Sequence, residues 1–193
     1  MMKKYILILS VMLFAVQVMA QTGLKKGDTA PAFTVTDVAG KTIGLKQLLK
    51  QHKSVVLFFY RGQWCPYCNK QIQHLQDSLL QLTAKGAYVV GVTPETGDNI
   101  QKTVDKTHAS FTIVQDKGYK IMKSYGVNYV LDDATVVKYR GFGLDLDKNN
   151  GNTDHVLPVP ATYVINSLGK IAFVHFDKDY TKRASVKEIL ATL

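Results

Sequence analysis

An α/β sandwich built on a mixed sheet is the fold class this sequence predicts, and three observations predict it. Residues 54–60 are an almost unbroken apolar run, as in a strand covered on both faces. The helical pattern that follows places Ile72, Leu75, Leu79 and Leu82 at spacings of three, four and three, which puts them on one face. A second buried strand at 87–92 then completes a strand–helix–strand unit, which crosses over right-handed. Alternation of strands and helices along the rest of the chain gives the layered architecture.

Residues 33–36 and 41–43 read as two short strands joined by a turn at Ala39-Gly40. A short helix follows over 45–51. Strand 54–60 is the centre of the sheet. The helix after Cys65 stops near Lys85-Gly86, where glycine ends the periodic pattern. Strand 87–92 is followed by a helix over 96–107, a strand over 111–114 and a helix over 119–125. The segment 131–157 has a short apolar run at Thr135-Val136-Val137 and a polar, glycine-containing stretch at 145–154. It reads as an insertion crossing near the active site. Strands 160–165 and 171–175 are joined by a tight turn at Ser167-Leu168-Gly169, and 186–193 forms a closing helix.

The first twenty residues read as an address. Lys3 and Lys4 form a basic start, residues 5–18 are almost wholly apolar, and Val18-Met19-Ala20 ends in small residues at the expected cleavage positions. Residues 1–20 are therefore expected to be a secretory signal peptide and 21–193 the folded domain, exported to the periplasm or secreted. The apolar run is shorter than the ~20 residues of a spanning helix, so no stable membrane insertion is expected once the leader is removed. The formal net charge is +9, or +7 without Lys3 and Lys4. The basic residues are scattered, as in Lys46, Lys50 and Lys53 or Lys178, Lys182, Arg183 and Lys187. A solvated basic surface is expected, not a nucleic-acid site.

The chain has two cysteines, Cys65 and Cys68, three positions apart. They follow the turn Arg61-Gly62 after the central strand, so the strand delivers them to the first turn of a helix. Unpaired N–H groups and the helix dipole favour negative charge there, and a thiolate is the reactive form of cysteine. Pro66 suits that turn, where a missing N–H is tolerated. Cys65 is expected to be the exposed nucleophile and Cys68, one turn further in, the resolving thiol. Three other readings exist. A zinc site requires about four ligands, and neither a second Cys pair nor a Cys/His pair is present. A structural disulfide closing so small a loop stabilises little. Two chance core cysteines leave the strand–turn–helix context unexplained. No metal or organic cofactor is expected, only the redox pair itself. The stretch 145–151 does not fit a calcium loop, since its glycine falls one place late and Val156 stands where a Glu should be. The five histidines lack metal-ligand spacing.

Trp64-Cys65-Pro66-Tyr67-Cys68 resembles the Trp-Cys-x-x-Cys site of thioredoxin-fold proteins, with the Pro-Tyr of glutaredoxins. The longer stretch 59–69 resembles the peroxiredoxin-like branch of the alkyl hydroperoxide reductase/thiol-specific antioxidant (AhpC/TSA) superfamily. Residues 157–165 and 177–183 resemble two further signatures of that branch, and 27–45 its opening. The resemblance implies a thioredoxin fold with an N-terminal hairpin extension. It implies that Pro160 is a cis-proline facing the cysteines. It also implies that Val159 beside it receives an extended substrate segment, while Trp64, Pro66, Tyr67 and Arg61 flank the nucleophile. The alternative for Pro160 is an edge proline opening a strand.

Departures from the family pattern shape the expected chemistry. Peroxiredoxins place Thr or Ser where Gly62 stands and an Arg where Pro160 stands. Thioredoxin-type proteins often carry a buried acid at the position of Phe59, and related reductases a Glu at that of Gln71. Glu95 is the remaining nearby candidate for proton transfer. Three functions follow. The first is thiol–disulfide exchange with partner proteins, recharged by an external reductant such as a thioredoxin-like or membrane thiol donor. The second is thiol-dependent reduction of hydroperoxides, with Cys65 peroxidatic and Cys68 resolving. The third, a redox-inert binding module, leaves an exposed Cys65 unexplained.

Overall fold

The computed structural model describes residues 22–193, so the expected signal peptide at 1–20 lies outside the described residues. Strands β1 (Thr34–Thr36) and β2 (Thr42–Gly44) form the antiparallel N-terminal hairpin. Asp37 closes its turn by accepting from the N–H groups of Ala39 and Lys41 at 3.0 and 2.8 Å. Helix α1 (Leu45–Gln51) leads into β3 (Ser54–Phe59), in which all six residues are buried.

The predicted long helix after Cys65 is two helices, α2 (Pro66–Asp77) and α3 (Leu79–Ala84). Ser78 leaves helical geometry between them, at φ −102° and ψ 6°. Asp77 and Ser78 are both weak helix formers, because their side chains compete for nearby backbone groups. The apolar stripe survives the break: Ile72, Leu75 and Leu82 are all buried.

Strand β4 (Ala87–Thr93), helix α4 (Gly97–Thr107), strand β5 (Thr112–Gln115) and helix α5 (Lys120–Ser124) follow. The insertion begins at β6 (Asn128–Val130) and carries two short helices, α6 (Asp133–Gly141) and α7 (Leu146–Asn150). It returns through β7 (Val156–Pro158), which pairs antiparallel with β6. The apolar run 135–137 thus lies in a helix, N-capped by Asp132, whose carboxylate accepts from the Thr135 N–H at 2.8 Å. Strands β8 (Ala161–Asn166) and β9 (Ile171–Phe176) and helix α8 (Val186–Thr192) close the chain.

The main sheet has the order β5-β4-β3-β8-β9. Strands β5, β4 and β3 are parallel, while β8 runs antiparallel to both β3 and β9. Alternation along β3 sends Val55, Leu57 and Phe59 to one face, with Leu45, Met122 and Tyr125. It sends Val56 and Phe58 to the other, followed by Tyr60, with Ile72, Leu75, Ile100, Ile189 and both cysteines. Burying each such large side chain contributes about 1.5–3 kcal/mol. The cysteine pair therefore stands at the end of the most buried strand and is anchored by one of the two cores. The mixed sheet, the flanking helices and the hairpin agree with the fold class expected from the sequence.

Candidate active site

Tyr60 is the last residue held by the sheet, through its N–H to the Val92 carbonyl at 3.0 Å. Cys65 is the N-cap of α2 and Pro66 its first residue. The Cys65 carbonyl accepts from the N–H groups of Cys68 and Asn69, both at 3.1 Å, so the first helical turn fixes one cysteine over the other. Both are free thiols. The expectation of an exposed Cys65 is corrected: it is 1% exposed and Cys68 0%. The insertion and the segment after β9 wall in the approach to it. Tyr139 of α6 lies against Trp64 with ring centroids 5.6 Å apart, and Tyr180, beyond β9, packs on Tyr67 at 5.8 Å.

The two thiols differ in their surroundings. Cys68 Sγ accepts from the Arg61 backbone N–H at 3.5 Å and faces the Arg183 guanidinium at 3.6 Å. Burial alone would raise its pKa. The hydrogen bond from Cys65, the Arg183 charge and the Arg61 N–H outweigh burial and draw it below the ordinary thiol value. The hydrogen bond to Cys68, together with burial, pushes Cys65 up. Within this coupled pair the surroundings draw the inner sulfur toward the thiolate and the outer one toward the thiol. The helix start and the Arg61 charge act on Cys65, while the Arg183 charge, the Arg61 N–H and the Cys65 thiol act on Cys68, so the helix start is not the sole influence on which thiol ionises.

Arg61 is 2% exposed. Its guanidinium lies 4.7 Å from the Trp64 ring and 4.4 Å from that of Tyr180, and Nη2 donates to the Tyr139 hydroxyl at 2.5 Å. No carboxylate pairs with it among the described residues. A buried cation without a counter-charge is costly, and its charge favours a thiolate at Cys65.

Glu95 is fully buried. One of its oxygens accepts from the Gln63 N–H at 2.7 Å, and the other has no partner. Burial, with the negative charge on Cys68 adding to it, pushes its pKa up to about 8. Its carboxyl explains Gly62. A Cβ at Gly62 would collide with the Trp64 indole nitrogen and come within 2.5 Å of Glu95 Oε1. The volume of a Thr or Ser side chain at that position is filled. Gln71 is buried too, donating from Nε2 to Thr162 Oγ1 at 3.1 Å.

A cleft of about 560 Å³ opens onto Cys65. Arg61, Trp64, Pro66, Tyr67, Tyr139 and Tyr180 line it, and Phe142 stands at its edge, 77% exposed. Cys68 is not among its lining residues. A cleft of equal volume between β1 and α5 holds no cysteine. Val159 and Pro160 do not line the Cys65 cleft either. The expectation of a cis-proline is corrected: no cis peptide bond occurs among the described residues. Nor is Val159 open to a substrate strand. Its N–H donates to the Val127 carbonyl at 2.7 Å, extending the β6–β7 pairing of the insertion. Sequence reasoning missed Tyr139, Tyr180 and Arg183 as site residues. The last two fall within the motif at 177–183, which was the available signal, whereas Tyr139 carried none.

A dithiol at the start of the helix that follows the central strand of this five-stranded sheet defines a redoxin with a thioredoxin-like fold. The family model for AhpC/TSA matches residues 26–174, and the chain belongs to that family. It is 33% identical over 137 residues to the chloroplastic peroxiredoxin Q of Triticum aestivum, covering 62% of each chain. It is 26% identical over 152 residues to the thiol-disulfide oxidoreductase ResA of Halalkalibacterium halodurans, covering 78% of this chain and 68% of that one. The peroxidoxin BcpB of Mycobacterium tuberculosis superposes with a TM-score of 0.67 at 22% identity, over 88% of this chain and 96% of that one. The chain spans about three-fifths of the length of the first curated relatives it matches.

Proposed function

We propose that this chain is an exported thiol–disulfide oxidoreductase that cycles Cys65 and Cys68 between dithiol and disulfide. The observation that carries this reading is the division of labour between the sulfurs. Cys65 meets the cleft, while Cys68 waits one helical turn behind it as the better-stabilised thiolate. The Cys65 proton passes to Cys68, and the Cys65 thiolate attacks a substrate disulfide. A mixed disulfide forms, the first substrate sulfur leaves and takes a proton, and Cys68 gives up the proton it had accepted to become the thiolate again. Cys68 then attacks Cys65 Sγ, forming the intramolecular disulfide and releasing the second substrate sulfur. Two electrons move from the dithiol to the substrate, and an external thiol donor restores the pair.

The leader-like residues 1–20 support export, and no helix among the described residues is long and apolar enough to cross a membrane. Reduction of hydroperoxides is the second reading. The name of the wheat relative and the unpaired guanidinium of Arg61 beside Cys65 favour it. Against it, the place of a hydroxyl at position 62 is taken by Glu95 and Trp64. Trapping tests the assignment. Cys68→Ser should accumulate mixed disulfides with partner proteins, whereas Cys65→Ser should form none. Equal trapping by both variants would refute the roles given to the two thiols.

A further inference from the structure

We infer that Arg183 is a positioning residue for the resolving step: it holds Cys68 as a thiolate aimed at Cys65, so that mixed disulfides are short-lived. The inference deepens the disulfide-exchange reading and rests on it for the step concerned. Arg183 lies 115 residues from Cys68 in sequence, on the segment between β9 and α8, and its Nη2 reaches Cys68 Sγ at 3.6 Å. The segment is shaped to deliver it. Asp179 accepts from the N–H and hydroxyl of Thr181 at 3.0 and 2.7 Å, and Ser185 forms a capping box with Glu188 at the start of α8. The other guanidinium nitrogen, Nη1, donates to the backbone carbonyls of Tyr180 and Lys182. The nearby carboxylates are engaged elsewhere: Asp177 and Asp179 face Lys182. Asp179 also feels the Arg183 charge from the surface, but the side-chain atom that the guanidinium reaches is the Cys68 sulfur.

The surroundings of Cys68 accept a thiolate better than a thiol. Three donors converge on its sulfur: the Arg61 N–H, the Arg183 guanidinium and the Cys65 thiol. The other titratable acids that interact with its charge are Glu95, Tyr60 and Tyr129. Burial pushes Glu95 up to about 8, Tyr60 far above its ordinary value and Tyr129 upward, so at neutral pH all three are mainly protonated and do not oppose the charge. Once Cys65 is tied up in a mixed disulfide, its hydrogen bond to Cys68 is gone. The Arg61 N–H and Arg183 then carry the stabilisation alone. In that state the Cys68 thiolate attacks Cys65 Sγ, the Cys65–substrate bond breaks, and the departing thiolate takes a proton from solvent. The effect of Arg183 is therefore concentrated in the second step of the exchange.

Two measurements test this. In the Cys65→Ser variant a single thiol remains, and its thiolate absorbance can be titrated with no substrate present. Adding Arg183→Gln should raise the midpoint by about one pH unit, a tenfold loss of thiolate at a given pH below it, and Arg183→Lys should restore most of the shift. In the two-cysteine protein, acid-quenched reaction with a labelled peptide disulfide should show a mixed disulfide living about tenfold longer in Arg183→Gln, with the first attack by Cys65 little changed. An unmoved midpoint and an unchanged lifetime would overturn the role of Arg183. So would equal slowing of both steps, the mark of a merely structural residue. A shifted midpoint without any turnover of disulfides would retain the Arg183–Cys68 pairing and overturn the proposed reaction instead.

Discussion

Replacing Glu95 with Gln removes a buried carboxyl while keeping an oxygen for the Gln63 N–H, and its effect on stability should depend on pH in a defined direction. Burial raises this group from an ordinary 4.5 to about 8. Below the lower value it is protonated in the folded and unfolded chains alike. Between the two values the unfolded chain releases the proton and the folded chain keeps it, so stability falls as pH rises. Above the upper value both states are ionised and the penalty stays at its maximum. One pH unit corresponds to about 1.4 kcal/mol, so the window contributes on the order of 4–5 kcal/mol if the loop does not relax. That is a large share of the 5–15 kcal/mol that ordinarily holds a domain together. The assay is urea unfolding at pH 5 and pH 8.5 in a Cys65→Ser/Cys68→Ser background, where no thiol titrates. The burial part of the shift remains there without the Cys68 charge, so the window contributes somewhat less than in the two-cysteine protein. Asp116 is also raised by burial and contributes with the same sign, but it is common to both proteins and cancels in the comparison. Glu95→Gln should lose little stability between the two pH values relative to its parent, and should be the more stable protein at pH 8.5. Parallel pH dependences would refute the claim that Glu95 is folded in its protonated form.

Gly62→Thr should not create a peroxidase. Its Cβ meets Glu95 and Trp64, and overpacking of this kind costs about 1–3 kcal/mol, read as a lowered urea midpoint. A gain in peroxide reactivity without loss of stability would contradict the steric account. Phe58→Ala should cost about 3–5 kcal/mol, since its ring is fully buried and packs over Gly91 of the neighbouring strand; a loss under about 1 kcal/mol would show that the core there collapses readily. Arg61→Ala should slow alkylation of Cys65 in the Cys68→Ser background, because a guanidinium beside the sulfur favours its thiolate; an unchanged rate would separate Arg61 from Cys65.

The parts of this molecule legible in the sequence are those set by local pattern. The run 54–60, the turn at Arg61-Gly62 and Pro66 after Cys65 sufficed to place both cysteines at a helix start beside the central strand. Apolar runs and turn residues likewise marked the hairpin and most sheet strands, and the 3.6-residue period marked the helix after Cys65. The insertion was legible as an insertion but not as helices. In α6 Val136 is buried and Val137 exposed, so no apolar stripe announces the helix. The coverage of Cys65 depends on contacts between residues far apart in the chain. Tyr139 reaches Arg61 across 78 positions and Arg183 reaches Cys68 across 115, and polar contacts at such distances impose no periodicity. The closure of Val159 to a substrate strand has the same origin. Pairing of β6 with β7 occupies the Val159 N–H, and nothing near Pro160 in sequence foretells that partner.

The central claim is that this site is built to exchange disulfides more readily than to reduce peroxides. A fast peroxidase places donors around the peroxide oxygens in the transition state, and losing one such donor costs about 10²–10³ in rate. Gly62 supplies no hydroxyl and Pro160 no guanidinium, whereas disulfide exchange asks only for a thiolate, access and a resolving thiol. The decisive measurement compares the rate constants of the reduced protein with hydrogen peroxide and with a protein disulfide, in wild type and in Arg61→Ala. The account predicts the faster reaction with the disulfide. A near-diffusional reaction with peroxide that collapses in Arg61→Ala, while disulfide exchange stays slow, would contradict it and make Arg61 the core of a peroxidase site.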